Sequence, residues 1–288
     1  MEINGHTRMA AVVANPIKHS LSPFIHNSAF QALGINGVYL AFEIEADQVS
    51  EAAKTIRLLD LYGINISMPY KQKFIKEVDE LTDAAQLIGA INTIINQDGK
   101  LIGHNTDGVG FMRSAYELGF TSSEKMVVIG AGGAATAIIA QAMLDDVKEI
   151  VVFTRRYEGF PEEKARLDEM SDKCGRQIIL NDLADTELLN HEISSARLIV
   201  NATSVGMNHL KDLTPIPDFS IINNNHLVID VVYNPLETLF LKQAKAQGAK
   251  VSNGLGMLLY QAAESFKCWT GQEMPTSDIK LALERKFQ

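Results

Sequence analysis

A glycine-rich stretch at residues 126–136, MVVIGAGGAAT, constrains the fold of this chain more than any other segment. Its apolar, largely β-branched start predicts a strand buried on both faces, and the glycines that follow require a tight turn into a helix over 134–144. In the dinucleotide-binding fingerprint the first glycine makes the turn, the second admits the pyrophosphate, and a small third residue lets helix and strand pack closely. Gly130, Gly132 and Ala135 occupy those positions. The stretch therefore predicts a phosphate-binding turn; the alternative is a helix-entry turn that binds nothing.

The length and charge of the chain limit the class of protein. Its 288 residues suffice for two domains, and 46% hydrophobic with 21% charged residues are typical of a soluble globular protein. The formal net charge of -9 argues against nucleic acid or an anionic membrane as the main partner. Local groups must therefore bind any anionic substrate.

The cysteines, the histidines and the N-terminal residues indicate which covalent and metal sites to expect and where the protein is located. Cys174 and Cys268 are far apart and outside any CxxC pattern, so neither a disulfide framework nor a thiolate metal site is expected. The seven histidines show no metal-ligand spacing, so no metal is predicted. Neither a leader-like N-terminus nor an apolar run of membrane-spanning length is present, and a cytoplasmic location is expected.

The N-terminal part of the chain alternates strands and helices as a parallel βαβ sheet does. Strands are predicted over 9–13 and 39–44, and helices over 24–33 and 48–59. Ser20 and Ser22 lie in a polar loop between the first strand and the first helix, just ahead of Pro23. Ser22 is therefore either a candidate ligand-binding group or the N-cap of that helix.

A lysine follows the next predicted strand. That strand reaches Ser67, and Pro69 is expected to end it and to open a helix that continues toward Leu81. Lys71 then lies in a first helical turn at the carboxyl end of a strand, the edge at which open α/β sheets bind ligands. The alternative for Lys71 is a solvated surface lysine.

Two further polar side chains are candidates for a site. Asn92 falls within a strand predicted over 87–96, where its amide must be hydrogen-bonded or cost stability. Asp107 lies in a loop just before a helix predicted over 109–118, so it is either functional or an N-cap.

The region from Met126 onward is predicted to be doubly wound. Strands are expected over 149–154, 177–180, 198–201 and 227–232, and residues 250–257 lead into a helix that ends near residue 269. An NAD site usually carries an acid after its second strand, whereas arginine there suits a 2′-phosphate. Arg155 and Arg156 follow this second strand, whose end carries no acid. NADP is therefore the expected cofactor, with NAD as the alternative.

Eight different short motifs are distributed along nearly the whole chain. They are residues 15–17 (NPI), 20–23 (SLSP), 65–71 (NISMPYK), 90–93 (AINT), 105–108 (NTDG), 130–134 (GAGGA), 201–203 (NAT) and 254–258 (GLGML). Together they resemble the shikimate dehydrogenase family, including its quinate/shikimate branch. The resemblance implies an α/β protein in which a Rossmann-type NAD(P)-binding domain, residues 109–254, is inserted into a substrate-binding domain, residues 1–108 plus 255–288, with a cleft between them.

The resemblance also implies roles for individual residues. Lys71 matches the catalytic lysine, and Asp107 matches the carboxylate that pairs with it and also binds substrate. The remaining substrate positions are matched by Ser20, Ser22, Ser67 (usually Thr), Asn92, Tyr233 and Gln261. The cofactor positions are matched by Asp83, Gly130, Ala131, Gly132, Gly133, Ala134, Thr154, Arg155, Arg156, Val231, Gly254 and Met257. Thr154 departs from the usual Asn, and Tyr157 stands where NAD-accepting members often have Asp.

The activity that the resemblance implies is the reversible NAD(P)H-dependent reduction of 3-dehydroshikimate to shikimate in chorismate and aromatic amino acid biosynthesis. One alternative is a quinate/shikimate dehydrogenase that uses NAD as well as or instead of NADP. Others are a methylene-tetrahydrofolate dehydrogenase, which would not need the paired serines, and a non-catalytic nicotinamide-sensing protein, which could lack Lys71 or Asp107. The expected partners are small-molecule substrates (shikimate, 3-dehydroshikimate or quinate), not nucleic acid or a membrane, and the chain is expected to be a monomer or homodimer.

Overall fold

The computed structural model describes residues 2–287, which form two compact units. The first comprises the chain up to Thr106 together with the segment from Leu259 onward, and the second comprises Asp107–Leu258. The strands are β1 (Arg8–Ala14), β2 (Gly37–Glu43), β3 (Gly63–Ile66), β4 (Glu80–Leu81), β5 (Thr93–Gln97), β6 (Lys100–His104), β7 (Lys125–Ile129), β8 (Glu149–Thr154), β9 (Ile179–Asp182), β10 (Leu198–Asn201), β11 (Leu227–Asp230) and β12 (Lys250–Ser252). The helices are α1 (Ser22–Ala32), α2 (Val49–Leu58), α3 (Asp83–Ile88), α4 (Asp107–Leu118), α5 (Gly133–Leu144), α6 (Phe160–Cys174), α7 (Thr186–Ser195), α8 (Leu239–Ala246), α9 (Leu255–Thr270) and α10 (Thr276–Glu284). Short 3₁₀ helices span Ala46–Gln48, Lys73–Glu77, Asn208–Leu210 and Arg285–Phe287.

The first unit is built on a six-stranded mixed sheet in the order β2-β1-β3-β5-β6-β4. β1 pairs in parallel with β2 and β3, as the βαβ alternation of this region requires. β5 lies antiparallel to both β3 and β6. A tight turn in which Asp98 and Gly99 have positive φ joins β5 to β6, and this turn requires that the two strands run antiparallel. Apolar side chains of these strands and of α2, such as Val13, Ile64 and Ile56, form the core of this sheet.

The helix predicted from Pro69 toward Leu81 is wrong. A 3₁₀ helix covers Lys73–Glu77, and β4 follows it. The backbone N–H groups of Asp79 and Thr82 donate to carbonyl oxygens of β6 at 2.9 and 3.0 Å. These bonds pair the segment with β6 at the edge of the sheet. Its backbone N–H groups are therefore not available for a helix.

The strand predicted over 87–96 is displaced. Residues Asp83–Ile88 form α3, whose N-cap Thr82 accepts a hydrogen bond from the Ala85 N–H, and Gly89 ends the helix with a φ of 69°. The strand itself starts only at Thr93. A short apolar run suits a strand or one side of a helix equally well, and here the capping residues favour the helix.

The second unit contains a six-stranded, fully parallel sheet in the order β12-β11-β10-β7-β8-β9. The chain runs outward from β7 to β9 and then returns to β10, so the topological switch point lies between β7 and β10. The doubly wound α/β fold expected from the sequence is thus confirmed. Val127, Val128 and Ile129 of β7 are fully buried, as in a parallel sheet covered on both faces, and each such side chain stabilises the unit by about 1.5–3 kcal/mol.

Helix α5 lies at the centre of this second unit. It is almost wholly apolar and is buried over most of its length, as expected of a helix without a polar face. Helix α4 packs closely against it at Gly108, where a Cβ atom would clash with the carbonyl oxygen of Ala137. Helix α4 begins at Asp107, two residues before the predicted start. Among the helices of residues 2–287, none is both long enough and apolar enough to cross a membrane.

Candidate active site

The turn after β7 can be made only by glycine at its first position. Gly130 has a φ of 112°, and its N–H donates to the Phe153 carbonyl of β8 at 2.7 Å. A Cβ atom at this position would lie 2.8 Å from the carbonyl oxygen of Ala202, which follows β10. The turn is therefore wedged between the two strands that flank β7, at the switch point of the sheet.

The next two glycines leave the start of α5 open. Gly132 is the N-cap and α5 begins at Gly133, and a Cβ atom at either position would meet nothing within 4 Å. The N–H and hydroxyl groups of Thr136 both donate to the Gly132 carbonyl, which fixes the turn. The first N–H groups of a helix have no intrahelical acceptor, and the helix dipole adds partial positive charge there. This arrangement suits the binding of a phosphate group.

A cavity of about 730 Å³ adjoins the turn within the second unit. Its walls include the turn itself, the end of β8 and the loops after β9 and β10: residues 129–132, 154–157, 163, 183, 202–205 and 213–215. Thr154 is buried at the end of β8, whereas Arg155 and Arg156 are exposed. Arg156 forms an ion pair with Asp182, with 3.0 Å between Nε and Oδ2, and its guanidinium lies 5.4 Å from the Phe160 ring centroid. The open anion cradle, the adjoining cavity and the arginines together fit a dinucleotide.

The other predicted cofactor residues lie in two places. Gly254 packs directly against Val231, because a Cβ atom would clash with the Val231 carbonyl oxygen, and Met257 lies half-buried in the first turn of α9. Asp83 belongs instead to the first unit, where it is exposed in the first turn of α3. The structure therefore does not place Asp83 in the unit that contains the glycine turn.

The paired serines lie at the start of α1 in the first unit. The helix starts at Ser22 itself and its N-cap is Leu21, which makes no side-chain capping bond, so the interpretation of Ser22 as an N-cap is wrong. Pro23 sits within the first turn, which moves the helix start toward Ser22. Ser20 Oγ accepts a hydrogen bond from the Ser22 N–H at 3.3 Å.

A neutral polar network extends from Tyr39 through the interior of the first unit. The Tyr39 hydroxyl donates to Asn65 Oδ1 at 2.7 Å, and Asn65 Nδ2 donates to Thr93 Oγ1 and Ser265 Oγ, each at 3.0 Å. Burial raises the pKa of the Tyr39 hydroxyl. His26 stacks on the Tyr39 ring at 4.2 Å, and burial lowers its pKa to about 3, so it adds no charge near neutral pH.

Asn92 lies at the far end of this network and is held from several sides. Its Oδ1 accepts from Thr93 Oγ1 at 2.9 Å and from the Thr106 N–H at 2.9 Å. Its Nδ2 donates to Thr106 Oγ1 at 3.0 Å and lies 3.5 Å from Gln261 Oε1. Asn92 precedes β5 rather than lying inside a strand, and it is 3% exposed. These contacts fix the orientation of its amide.

Sequence patterns alone do not indicate the residues of the network that orients Asn92. These are Tyr39, Asn65, Thr93, Thr106 and Ser265, all of them buried. Asn65 could, however, have been found from the sequence, because it is a polar residue within the apolar run of β3. The same signal had identified Asn92.

Lys71 and Ser67 lie in the turn that follows β3. Ser67 is half-buried, and its carbonyl accepts from the Tyr70 N–H at 3.0 Å. Lys71 precedes the 3₁₀ helix rather than lying in a helical turn, and its side chain is half-buried. The Lys71 carbonyl accepts from the Ile91 N–H at 2.9 Å, which ties this turn to the segment before Asn92. Ser67, Lys71, Asn92 and Gln261 thus belong to one unit.

Asp107 and Tyr233 belong to the second unit. Asp107 is the first residue of α4 and is half-buried. Tyr233 follows β11, and burial raises the pKa of its hydroxyl. Among residues 2–287, no group of three or more His, Cys, Asp or Glu side chains is arranged to hold a metal ion.

The chain is similar to known proteins over its whole length. Residues 12–94 match the model of the shikimate dehydrogenase substrate-binding domain, and residues 254–284 match that of the shikimate 5′-dehydrogenase C-terminal domain. A shikimate dehydrogenase (NADP(+)) of Lactococcus lactis subsp. cremoris is 51% identical over 287 residues, covering 99% of this chain and 100% of that protein.

Two solved structures resemble the chain closely. The shikimate 5-dehydrogenase of Listeria monocytogenes, in complex with shikimate and NAD, aligns with a TM-score of 0.95 and 43% identity over 98% of both chains. The enzyme of Thermus thermophilus, in complex with NADP(H) and shikimate, aligns with a TM-score of 0.81 and 33% identity, covering 96% of this chain and 99% of that one.

Proposed function

Because the chain belongs to the shikimate dehydrogenase family, we propose that it catalyses the reversible NADPH-dependent reduction of 3-dehydroshikimate to shikimate. The observation that carries the proposal is the open phosphate turn at the sheet switch point, in a chain that matches a shikimate dehydrogenase (NADP(+)) over its whole length. The product would enter chorismate and aromatic amino acid biosynthesis. A cytoplasmic location and a monomeric or dimeric state are parts of the same proposal.

The second unit binds the cofactor in this proposal. The N–H groups at Gly132–Ala134 bind the pyrophosphate, and Arg155 and Arg156 bind the adenosine 2′-phosphate through their guanidinium groups. Ala131, Thr154, Val231, Gly254 and Met257 complete the cofactor contacts. When bound, the nicotinamide supplies or accepts the hydride.

The first unit binds most of the substrate. Ser20 and Ser22 hold the carboxylate, while Ser67, Asn92 and Gln261 bind the ring hydroxyls. Asp107 and Tyr233 are further substrate-binding residues in this proposal. The network from Tyr39 to Thr106 supports this assignment, because it holds Asn92 in a set orientation before any ligand binds. Preorganisation of this kind reduces the entropy lost when substrate binds.

Lys71 moves the proton. In the reductive direction its ammonium Nζ gives a proton to the developing alkoxide and stabilises the negative charge, while Asp107 orients it. In the oxidative direction the neutral amine accepts that proton from the substrate hydroxyl.

The test is the rate of NAD(P)H formation at 340 nm with shikimate, with quinate and without substrate, each with NADP⁺ and NAD⁺. We expect turnover of shikimate and a kcat/KM for NADP⁺ at least equal to that for NAD⁺. Arg155→Ala and Arg156→Ala should each lower kcat/KM for NADP⁺, because guanidinium–phosphate bonds are charge-assisted. Inactivity with both acids would refute the enzyme assignment. A preference for NAD⁺ above about tenfold would refute the role of the arginines.

A further inference from the structure

A buried glutamate lines the nucleotide cavity of the second unit. Glu163 lies on α6, is 7% exposed and forms part of the cavity wall together with the glycine turn and Arg155. The sequence analysis expected no acid here, because none stands at the end of β8. Helix α6 nevertheless brings one to the same cavity.

The two carboxylate oxygens of Glu163 differ in their contacts. Oε1 accepts a hydrogen bond from the Tyr157 hydroxyl at 2.7 Å. This bond is the main reason why the pKa of Tyr157 lies above its usual value, so the phenol remains a donor. Oε2 is buried, and it has no hydrogen-bond partner within the described chain. Buried carboxylate oxygens are normally hydrogen-bonded, so an unpartnered one at a cavity wall indicates a ligand donor.

The neighbouring cations do not occupy that oxygen. Arg166, one turn further along α6, donates through Nη2 to the Ala131 carbonyl and so ties the helix to the glycine turn. Its Nε is buried without a hydrogen-bond partner among residues 2–287. Arg156 is paired with Asp182. Glu163 Oε2 thus remains without a partner in the described chain, on a residue that lines a cavity whose other walls suit an anion.

We propose that Glu163 is a determinant of cofactor choice: its unpartnered carboxylate oxygen accepts a hydrogen bond from the 2′-hydroxyl of the adenosine ribose, while its charge opposes the 2′-phosphate that the arginines attract. The proposal rests on the proposed function, because it assumes a nicotinamide dinucleotide in this cavity. Tyr157 is the positioning residue, since it holds Oε1 and leaves Oε2 without a partner. Glu163 thereby supports NAD binding and limits the preference for NADP. A ribose hydroxyl is a donor, whereas a phosphate offers only acceptors.

The test compares binding of NAD⁺ and NADP⁺ by isothermal titration calorimetry, which needs no turnover. Glu163→Gln keeps the shape and the acceptor for Tyr157 but removes the charge. We expect it to weaken NAD⁺ binding about tenfold and to leave NADP⁺ binding equal or tighter, since a hydrogen bond to a charged group is lost only with NAD⁺. The matched control is Glu162→Gln, an exposed neighbour on the same helix. Its ratio of the two Kd values should stay within about twofold of wild type.

Tyr157→Phe provides the second arm. This variant keeps the negative charge of Glu163 but removes the hydrogen bond to its Oε1. We therefore expect NAD⁺ binding to weaken relative to NADP⁺ binding by about threefold, less than in Glu163→Gln. Equal weakening of both nucleotides by Glu163→Gln, or an unchanged ratio, would show a purely structural glutamate and overturn the proposal. Should Glu163→Gln fail to fold, an unchanged ratio in Tyr157→Phe would overturn it instead. Wild-type protein that binds both nucleotides but does not turn over shikimate would refute the proposed function and leave this inference standing.

Discussion

Gly130 and Gly132 lie two residues apart, and replacing each with alanine should affect different properties of the protein. At Gly130 the backbone has a φ of 112°, and an added Cβ would lie 2.8 Å from the Ala202 carbonyl oxygen and 3.0 Å from Thr203 Cγ2. Backbone strain and overpacking together should cost about 3 kcal/mol. For a domain of about 150 residues, this corresponds to a Tm lower by about 6–12 °C.

At Gly132 an alanine should leave the fold nearly intact. The residue has φ -73° and ψ -170°, which alanine adopts readily, and an added Cβ meets nothing within 4 Å. Losing glycine as N-cap should cost less than about 1 kcal/mol. The methyl group would, however, stand where a phosphate must approach the N–H groups of α5. Hydrogen bonds to a charged group contribute about 1.5–3 kcal/mol, so NADP⁺ affinity should fall about 10- to 100-fold.

Thermal unfolding and calorimetric titration with NADP⁺ on both variants and wild type test this difference, with each variant serving as the control for the other. Gly130→Ala should show the large loss of Tm, and Gly132→Ala should show the loss of affinity at nearly unchanged Tm. The reasoning would be refuted by a Gly132→Ala variant that binds NADP⁺ as wild type does. An equal loss of Tm in both variants would refute it as well.

Three further changes test the catalytic residue, the carboxylate site and a buried acid. Lys71→Ala should lower kcat about 100-fold or more at unchanged Tm, because a positioned acid/base is lost; a kcat within a few-fold of wild type would make Lys71 a surface residue. Ser20→Ala should raise KM for shikimate about tenfold with little change in kcat, because a carboxylate contact is made in ground and transition states alike. A lower Tm at unchanged KM would show instead that Ser20 serves only the turn, through its bond to the Ser22 N–H. Burial raises the pKa of Asp230 from 3.8 to about 6, so the folded state binds its proton more tightly and stability falls as pH rises from about 4 to 6. Wild type should lose about 3 kcal/mol relative to Asp230→Asn across this range in denaturant unfolding, and parallel pH profiles would contradict the assignment.

Local patterns located strands β7, β8, β10 and β11 of the second unit, and placed β9 two residues too early. The run before Gly130 is apolar and β-branched, and it forms a fully buried strand. In the first unit the same reasoning failed between Pro69 and Asn92. There the backbone of Asp79 and Thr82 bonds to β6, and α3 takes part of the run expected to be strand. Where a short segment has two allowed conformations, its hydrogen-bond partners elsewhere in the chain select one.

In the candidate site, too, local patterns indicated some residues and failed to indicate others. Lys71, Asn92 and Asp107 were identified from sequence because each is a polar residue in a short motif or an apolar setting. The supporting residues Tyr39 and Ser265 were not, because nothing in their own neighbourhoods indicates that they reach the same hydrogen-bond network.

By itself, the sequence determined a buried strand, a turn that needs glycine at position 130, and a helix whose N-terminus follows. These depend on the polarity and backbone freedom of consecutive residues. Only the tertiary structure decided which distant polar groups meet. Asn65 donates to Ser265, 200 residues further along the chain, and Glu163 reaches the cavity beside the glycine turn although it follows β8 by a loop and a helical turn. Such pairs are set by strand order and helix packing, and no local pattern of residues encodes them.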